Sequence, residues 1–426
     1  MARLTDALRT AAAQPTLRIL FALVSGLCIG ALLIDTAYVD QVMAVAEPVG
    51  GLWLDALRMT IVPLIFSLLV VGVSSAAGTA AAGGTAARAL GLFALFLVAS
   101  ATFSALALSG VLAIWPAPVE AVAGLRAAAG ESKDKVPDFP TMGAWLRAFI
   151  PTNPIKAAAE TSMAPLVVFA LLFGLAATRI RAELHAALIK LFEAVVEAML
   201  VMVQWVIFLA PLGVFALALL VGAKAGFGAA GALGHYIVLL AGVCIAVGLL
   251  SYLIALFAGA PLLAFARAAA PAQAVAFSTQ SSIASLPAML AGVRQLGAPE
   301  HIIGVVLPLA VSLFRITSPA ANLGVAIYCA HVYGVPLNFA LLAAGVGVAA
   351  VISLASVGLP GQITFFTTTG PICLIMGVPL ELLPILLAVE TIPDIFRTVG
   401  NVTADMAVTC LARRIGDDEP KAAKGF

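Results

Sequence analysis

Charged residues are scarce in this sequence. Asp, Glu, Lys and Arg make up 10% of the 426 residues, whereas soluble domains contain about 25%. So few charges exclude a domain whose whole surface is solvated, and 63% of the residues are hydrophobic. The formal net charge of +1 gives no electrostatic basis for binding a nucleic acid. The composition therefore predicts an integral membrane protein.

Signatures of enzyme and cofactor chemistry are also lacking. The five cysteines lie far apart in apolar segments without a CxxC pair, so neither a disulfide framework nor a cysteine metal site is predicted. The sequence contains no HExxH motif and no glycine-rich phosphate loop, and no nucleophile stands with paired carboxylates. We therefore expect no enzymatic activity and no prosthetic cofactor.

Long apolar segments are what the sequence does contain, and a helix needs about 20 such residues to span a membrane. Eight segments are long enough: 17–36, 47–76, 87–115, 147–178, 197–222, 233–263, 302–333 and 380–412. The apolar run of the first segment follows Arg3, Arg9 and Arg18 and is too long for the core of a signal peptide, so the segment is interpreted as a span. An even number of spans and the basic residues near both chain ends predict that both termini are cytoplasmic.

Two further apolar segments are broken in the middle. Residues 272–293 have the polar centre STQSS and Pro287, and residues 348–378 contain GLPGQ followed by a run of threonines. Each pattern favours two half-helices that meet at a polar tip, as in a re-entrant hairpin, over a pair of kinked ordinary helices. Irregular backbone at membrane depth is tolerated where protein or water surrounds it, and paired broken helices are typical of secondary transporters.

The last apolar segment carries an unexpected set of polar residues. At 100° per residue they fall along one helical face: Glu390, Asp394, Arg397, Thr398, Asn401 and Asp405. A charge in the membrane costs at least about 2.5–3.5 kcal/mol, so this face is expected to contact protein or water. A structural ion pair between Asp394 and Arg397 is one interpretation. The additional amide, hydroxyl and second acid favour a ligand and ion site.

The stretch DIFRTVGNVTAD (394–405) resembles the last-helix signature of the glutamate transporter family, the dicarboxylate/amino acid:cation symporters. STQSSIASLP (278–287) is similar to the first hairpin tip of that family, GLPGQ (358–362) to the second, and FIPTNPIKAAAE (149–160) to its fourth helix. The resemblance covers about residues 20–412. It implies an all-α elevator fold with eight transmembrane helices and two re-entrant hairpins, assembled as a homotrimer in the bacterial inner membrane.

The resemblance also implies a division of the chain. A scaffold, 17–263, would include a third helix, 87–115, that packs on a transport domain, 264–412, and cytoplasmic segments 1–16 and 413–426 would flank the two. The transport domain would consist of two hairpins and two helices: 272–297, 302–333, 342–378 and 380–412. Its partners would be a small acidic substrate and membrane lipid.

Transferred to this sequence, the family's substrate site assigns a role to each residue. Asp394 would bind the amino group and Arg397 the side-chain carboxylate of an acidic substrate, using its bidentate fork. The other residues of the substrate site would be Thr398, Asn401, Ser281, Ser282, Ser318 and Gly361. Aspartate or glutamate is the predicted substrate, with a dicarboxylate or a neutral amino acid as alternatives. Ile283 and Gln362-Ile363 replace small residues of the family at the two tips.

The family's sodium motif, Asn-Met-Asp-Gly-Thr, is altered here to Phe314-Arg315-Ile316-Thr317-Ser318. Phe and Ile offer no side-chain oxygen, and Arg315 brings a fixed positive charge. In the third helix, the family's ligands align with Phe96, Ala99 and Ser100. We therefore expect the sodium site of Asp405 and Asn401 to be weakened or absent, with Arg315 paired to Asp405 or Glu390. A structural arginine at a helix end is the other interpretation.

Altered sodium coupling leaves several modes of action open. The protein would couple transport to protons, with Glu390 or His331 as conceivable carriers, or would work as an exchanger. Sodium or a proton is thus the expected coupling ion. A substrate sensor that no longer transports and a channel-like anion leak remain alternatives from other functional classes.

Overall fold

The chain is described by a computed structural model that covers residues 15–34, 36–81, 84–118, 122–123, 150–160, 162–225, 228–355 and 361–416. These residues form helices joined by turns and contain no β-strand, which confirms the all-α prediction. The predicted terminal segments, apart from residues 15–16 and 413–416, and the centre of the second hairpin tip lie outside the described residues.

Sixteen helices make up the described part of the chain. In order they are α1 (Pro15–Leu33), α2 (Val39–Ala81), α3 (Gly84–Ile114), α4 (Pro154–Ala159), α5 (Met163–Ala177), α6 (Ala182–Phe208), α7 (Ala210–Ala225), α8 (Gly228–Phe257), α9 (Leu262–Thr279), α10 (Ser282–Gln295), α11 (Glu300–Leu313), α12 (Thr317–Tyr333), α13 (Phe339–Ala355), α14 (Gly361–Ile375), α15 (Leu383–Val389) and α16 (Thr391–Gly416).

Four described segments are long and apolar enough to cross a membrane: Val39–Ser74, Ala87–Ile114, Ala230–Phe257 and Ile302–Tyr333. A fifth qualifies if α6 and α7, which meet at a 56° bend, form one broken span. These segments are typical of an integral membrane protein. The predicted number of eight spans stays a prediction.

Four of the predicted continuous spans are interrupted. The span 147–178 is divided between α4 and α5, 197–222 bends at Leu209, 302–333 is interrupted between Leu313 and Thr317, and 380–412 is interrupted at Glu390. Hydropathy shows how long a segment stays apolar. It does not show where the pattern of helical backbone hydrogen bonds in that segment is interrupted. The last two interruptions matter most, because they lie beside the polar residues of α16.

The first broken segment consists of two helices that meet at a polar tip, as predicted, but the first helix begins at Leu262 and not near residue 272. The re-entrant position of this hairpin in a membrane stays a prediction. Helices α9 and α10 pack against each other and meet at Gln280, which adopts a left-handed φ of 52°, followed by Ser281 at the N-cap of α10. The Ser281 hydroxyl oxygen accepts a hydrogen bond from the Ala284 N–H at 3.2 Å. In the second hairpin, α13 packs against α14, and residues 356–360 between them lie outside the described part.

Helix α16 lies among α8, α9, α10, α11 and α12. It approaches α8 closely at two glycines: a Cβ added to Gly248 would lie 3.3 Å from the Cα of Gly400. A Cβ added to Gly400 would meet Cγ2 of Thr317 at 2.5 Å. Small residues permit backbones to approach in this way inside membrane proteins. The polar face of α16 is therefore held against α8 and α12.

We expect the variant Gly400→Ala to lower the thermal unfolding midpoint of the solubilised protein. The added methyl group overlaps Thr317, and overpacking of this kind costs about 1–3 kcal/mol. Gly242→Ala on α8 is the matched control, because a Cβ there meets nothing within 4 Å. Equal midpoints for the two variants would contradict the close packing described here.

Candidate functional site

The six polar residues predicted to share one face are all buried. Each is at most 6% exposed: Glu390, Asp394, Arg397, Thr398, Asn401 and Asp405. Five of them belong to α16, and Glu390 occupies the interruption between α15 and α16. Buried charges are tolerated where partners compensate them, so the contacts of these side chains decide what the site does.

Arg397 is held by two carboxylates. Its Nη2 donates a hydrogen bond to Oε1 of Glu390, and its Nη1 lies 3.5 Å from Oδ1 of Asp394. Its Nε is buried without a hydrogen-bond partner. The sequence predicted the contact with Asp394 as one interpretation, but not the stronger contact with Glu390. The Nε–H of Arg397 thus remains available to a further acceptor.

Glu390 is satisfied at both oxygens. While Oε1 accepts from Arg397, Oε2 accepts a hydrogen bond of 2.5 Å from the hydroxyl of Tyr236 on α8. Tyr236 is completely buried, and its ring packs edge-on against Tyr328 at a centroid distance of 5.3 Å. Sequence reasoning missed Tyr236, because a lone tyrosine in an apolar span carries no signal of its partner. Tyr236, Glu390 and Arg397 form one connected series.

Asn401 joins α16 to the start of α12. Its Oδ1 accepts from the Thr317 N–H at 3.0 Å and lies 2.7 Å from the Thr317 hydroxyl. That hydroxyl also lies 2.8 Å from the Arg397 carbonyl, so its single proton serves one acceptor at a time. Thr398 donates its hydroxyl to the Asp394 carbonyl at 2.9 Å. Both polar side chains therefore already support the local backbone.

The altered motif 314–316 lies in the interruption between α11 and α12. Phe314 is buried and stacks on Phe93 of α3 at a centroid distance of 4.8 Å. Phe96 lies 6.3 Å from the same ring. The Ile316 carbonyl accepts a 2.6 Å hydrogen bond from Ser100, also of α3. Phe314 thus makes an apolar contact where the family motif has asparagine. The backbone carbonyl of Ile316 still accepts a hydrogen bond.

Arg315 does not form the predicted ion pair. It lies close enough to Asp394 and Asp405 to interact electrostatically, but no nitrogen of Arg315 is within 4.0 Å of a carboxylate oxygen in the described part of the chain. The prediction of a direct pair with Glu390 is wrong because Glu390 is already bound by Arg397 and Tyr236. The charge of Arg315 therefore acts on Asp394 and Asp405 without a direct ion pair.

Asp405 is the least satisfied acid of α16. It is 1% exposed, and its Oδ1 has no hydrogen-bond partner. Two further buried oxygens, Oγ of Ser318 and Oδ1 of Asn322 on α12, also lack partners. No cluster of three or more His, Cys, Asp or Glu side chains suited to a metal is present among the described residues. Carboxylate, hydroxyl and amide oxygens fit a hard cation, but Asn401 has its oxygen engaged by Thr317.

The remaining predicted residues lie on the hairpins. Ser281 and Ser282 are partly buried at the first tip, and the Ser281 oxygen caps α10. Gly361 begins α14. Sequence reasoning missed Gln273 of α9, whose amide donates to Thr403 of α16 at 2.8 Å. This hydrogen bond ties the first hairpin to the helix that carries the polar face.

Comparison with known proteins identifies one matching family and several relatives that are transport proteins. Residues 16–415 match the model of the sodium:dicarboxylate symporter family. The chain is 27% identical over 393 residues to the proton/sodium-glutamate symport protein of Bacillus subtilis, covering 89% of this chain and 88% of that protein. It is 26% identical over 411 residues to the proton/glutamate-aspartate symporter of Escherichia coli, with 93% and 92% covered. A C4-dicarboxylate transport protein of Laribacter hongkongensis is 23% identical over 407 residues, with 93% and 88% covered.

Proposed function

We propose, from the premise that the chain belongs to the sodium:dicarboxylate symporter family, that it carries acidic amino acids, aspartate or glutamate, across the membrane. The family is one of transporters and not of enzymes, and the chain is an integral membrane protein of that family. Two relatives have glutamate in their names and one has C4-dicarboxylate, so the substrate must be argued from the residues of this chain.

The observation that carries the proposal is the buried pair of Asp394 and Arg397. An amino acid presents one cation and, if acidic, two carboxylates, and these groups need opposite charges in a site without water. Asp394 binds the ammonium group in the proposed complex, and Arg397 binds the side-chain carboxylate through its planar fork. A simple dicarboxylate would offer Asp394 no cation and leave that buried carboxylate facing another anion. An acidic amino acid therefore fits both charges.

The other substrate contacts are proposed from the resemblance. Thr398 and Asn401 would bind the amino or main carboxylate group, and Ser318 would contribute its unpartnered hydroxyl. Ser281 and Ser282 would bind the main carboxylate at the start of α10, where helix N–H groups favour an anion. Gly361 would lie at the second hairpin.

We further propose that sodium coupling is weakened or lost. Phe314 is committed to an aromatic stack, Ile316 is apolar, and the amide oxygen of Asn401 is engaged by Thr317. Arg315 adds a positive charge within electrostatic reach of Asp405. At about 4 Å and an effective dielectric constant near 20, such a charge opposes a second cation by about 4 kcal/mol. Asp405 is left as the principal acid of a weakened cation site.

The proposed transport cycle is an elevator movement in a homotrimer of the bacterial inner membrane, with both termini in the cytoplasm. The sequence-based division placed residues 233–263 in the scaffold. The packing of α8 on α16 at Gly248 and Gly400, and the hydrogen bond from Tyr236 to Glu390, support moving α8 into the transport domain. The hairpins and α12 would complete that domain.

Counterflow in proteoliposomes tests the proposed function. Vesicles loaded with unlabelled aspartate and free of sodium are expected to accumulate labelled aspartate with saturable kinetics, because a carrier exchanges substrate without net charge movement. Adding sodium on both sides is expected to change the initial rate by less than about threefold, since a coupling site worth several kcal/mol would change it far more. Protein-free vesicles and vesicles loaded with succinate are the controls.

Each alternative gives a different result in the same assay. Binding without counterflow indicates a sensor, unsaturable flux indicates a channel-like leak, and preference for succinate indicates a dicarboxylate carrier. Strong sodium dependence that disappears in the variant Asp405→Asn contradicts the proposed loss of sodium coupling.

A further inference from the structure

Arg315 is the one residue of the described stretch 314–330 that is not buried, and it is partly exposed. It lies in the interruption between α11 and α12, two residues before Thr317, whose N–H donates to Asn401 and whose hydroxyl lies 2.8 Å from the Arg397 carbonyl. A guanidinium group beside the proposed substrate site is therefore accessible to a ligand. Building on the proposed function, we infer that Arg315 binds the main carboxylate of an acidic amino-acid substrate and selects for substrates that carry this group.

The main carboxylate of the substrate needs a counter-ion that the other proposed contacts do not provide. Arg397 is engaged with the side-chain carboxylate in the proposed complex. The side chains that the resemblance assigns to the amino group or the main carboxylate are neutral: Thr398, Asn401, Ser281 and Ser282. The N–H groups at the start of α10 supply only a partial positive charge. Because a carboxylate that leaves water without a cation is costly, a second cation is required in the site.

Arg315 is a cation without an ion pair. Within the described residues, no carboxylate oxygen lies within 4.0 Å of its nitrogens, whereas Arg397 is paired with Glu390 and Asp394. Arg315 interacts with Asp394 and Asp405 at longer range. Its planar fork can bind both oxygens of an approaching carboxylate through two parallel hydrogen bonds. A substrate carboxylate would thus give Arg315 the direct partner that the described chain does not.

The charges around Asp394 match those of an acidic amino acid. The ammonium group and the main carboxylate are attached to the same carbon, so their binding partners must be neighbours of opposite charge. Arg315 is such a neighbour, because it acts electrostatically on both Asp394 and Arg397. With the ammonium group on Asp394, the main carboxylate on Arg315 and the side-chain carboxylate on Arg397, each substrate charge faces an opposite charge of the protein.

Ser318 supplies a hydrogen-bond donor close to Arg315. The Ser318 N–H donates to the Arg315 carbonyl at 2.9 Å, so residues 315–318 form a single turn. Residues three apart in such a turn lie on the same face. Ser318 is 4% exposed, and its hydroxyl has no hydrogen-bond partner in the described part of the chain. A carboxylate bound to Arg315 at this turn would also accept that hydroxyl, which relieves the cost of leaving it unpaired.

Amidation of one or the other carboxylate of aspartate separates the role of Arg315 from that of Arg397. The α-amide of aspartate lacks the charge of the main carboxylate, asparagine lacks that of the side chain, and both keep the ammonium group. Competition with labelled aspartate for the solubilised full-length protein, in choline chloride without sodium, gives the Kd of each ligand. We expect the wild type to bind the α-amide at least about 30-fold more weakly than aspartate, because one partner of a buried charge pair is removed.

The variant Arg315→Met is expected to lose this discrimination. Its Kd for aspartate rises by at least about 30-fold, while its Kd for the α-amide changes by less than about threefold, because the α-amide has no charge for Arg315 to bind. Asparagine, which keeps the main carboxylate, loses affinity by the same factor as aspartate. Arg397→Lys instead reduces the preference for aspartate over asparagine. Arg294→Met, at an exposed arginine of the first hairpin, is the matched control and keeps the wild-type Kd for all three ligands.

Three results overturn the inference and leave the proposed function intact. One is a wild type that binds the α-amide as tightly as aspartate, which needs no variant to fold. Another is an Arg315→Met protein that loses affinity for aspartate and the α-amide by the same factor, which indicates a structural role. If Arg315→Met binds none of the ligands, Arg315→Lys decides: it keeps the charge and is expected to keep the preference for aspartate over the α-amide, and loss of that preference is the third result. A wild type that binds neither aspartate nor glutamate contradicts the proposed function itself, and the inference with it.

Discussion

The variant Arg397→Lys is expected to weaken aspartate binding by at least about 30-fold while the protein stays folded. Lysine keeps the positive charge beside Glu390 and Asp394, so the buried acids retain a counter-ion. It lacks the planar fork that binds a carboxylate through two parallel hydrogen bonds. Truncating one side of a buried charge pair costs about 2–5 kcal/mol, and the loss of the fork accounts for the lower part of that range.

Calorimetry or a scintillation binding assay measures the expected change in Kd. Arg294→Lys is the matched control, since Arg294 also makes a forked pair, with Glu300 at 2.7 and 3.0 Å, but on the exposed end of the first hairpin. It is expected to bind aspartate as the wild type does. An unchanged Kd in Arg397→Lys, with Arg294→Lys also unchanged, would remove Arg397 from the substrate site.

Much of the fold could be predicted because the membrane leaves strong patterns in the sequence. Apolar length identified α2, α3 and α8, and the polar centre of STQSS identified the turn between α9 and α10. Helical periodicity placed Arg397 and Asp405 on one buried face. Each of these features follows from local composition, which is what a sequence records directly.

The partners of the site residues could not be predicted in the same way. That Tyr236 donates to Glu390 depends on how α8 crosses the last two helices, and the two residues are 154 positions apart. The segment Ile302–Tyr333 still qualifies as one apolar span across the interruption before Thr317, so hydropathy does not reveal the interruption. The close contact of α8 with α16 at Gly248 and Gly400 leaves no local signal either, because glycine is common throughout this sequence. These features arise from packing between distant segments.

The variant Arg315→Met is expected to make the protein sensitive to sodium. In the wild type, the charge of Arg315 acts on Asp405 and Asp394, and no further cation is needed near the unpartnered Oδ1 of Asp405. Methionine removes that charge, so a buried carboxylate is left that a small cation stabilises. A cation at 100 times its Kd would stabilise the folded state by about 2.7 kcal/mol, which raises the unfolding midpoint by several degrees.

Thermal unfolding in sodium chloride, compared with choline chloride at the same concentration, measures this effect apart from ionic strength. Arg315→Lys keeps the charge and is expected to behave like the wild type, with the same midpoint in both salts. Adding Asp405→Asn to Arg315→Met is expected to abolish the response, because the amide does not supply the anionic ligand. A wild type that sodium stabilises as strongly as Arg315→Met would show that Arg315 does not replace a bound cation. The two interpretations of Arg315 are a charge that replaces a bound cation and a structural arginine at a helix end. They differ in how far sodium raises the unfolding midpoint of the wild type relative to that of Arg315→Met.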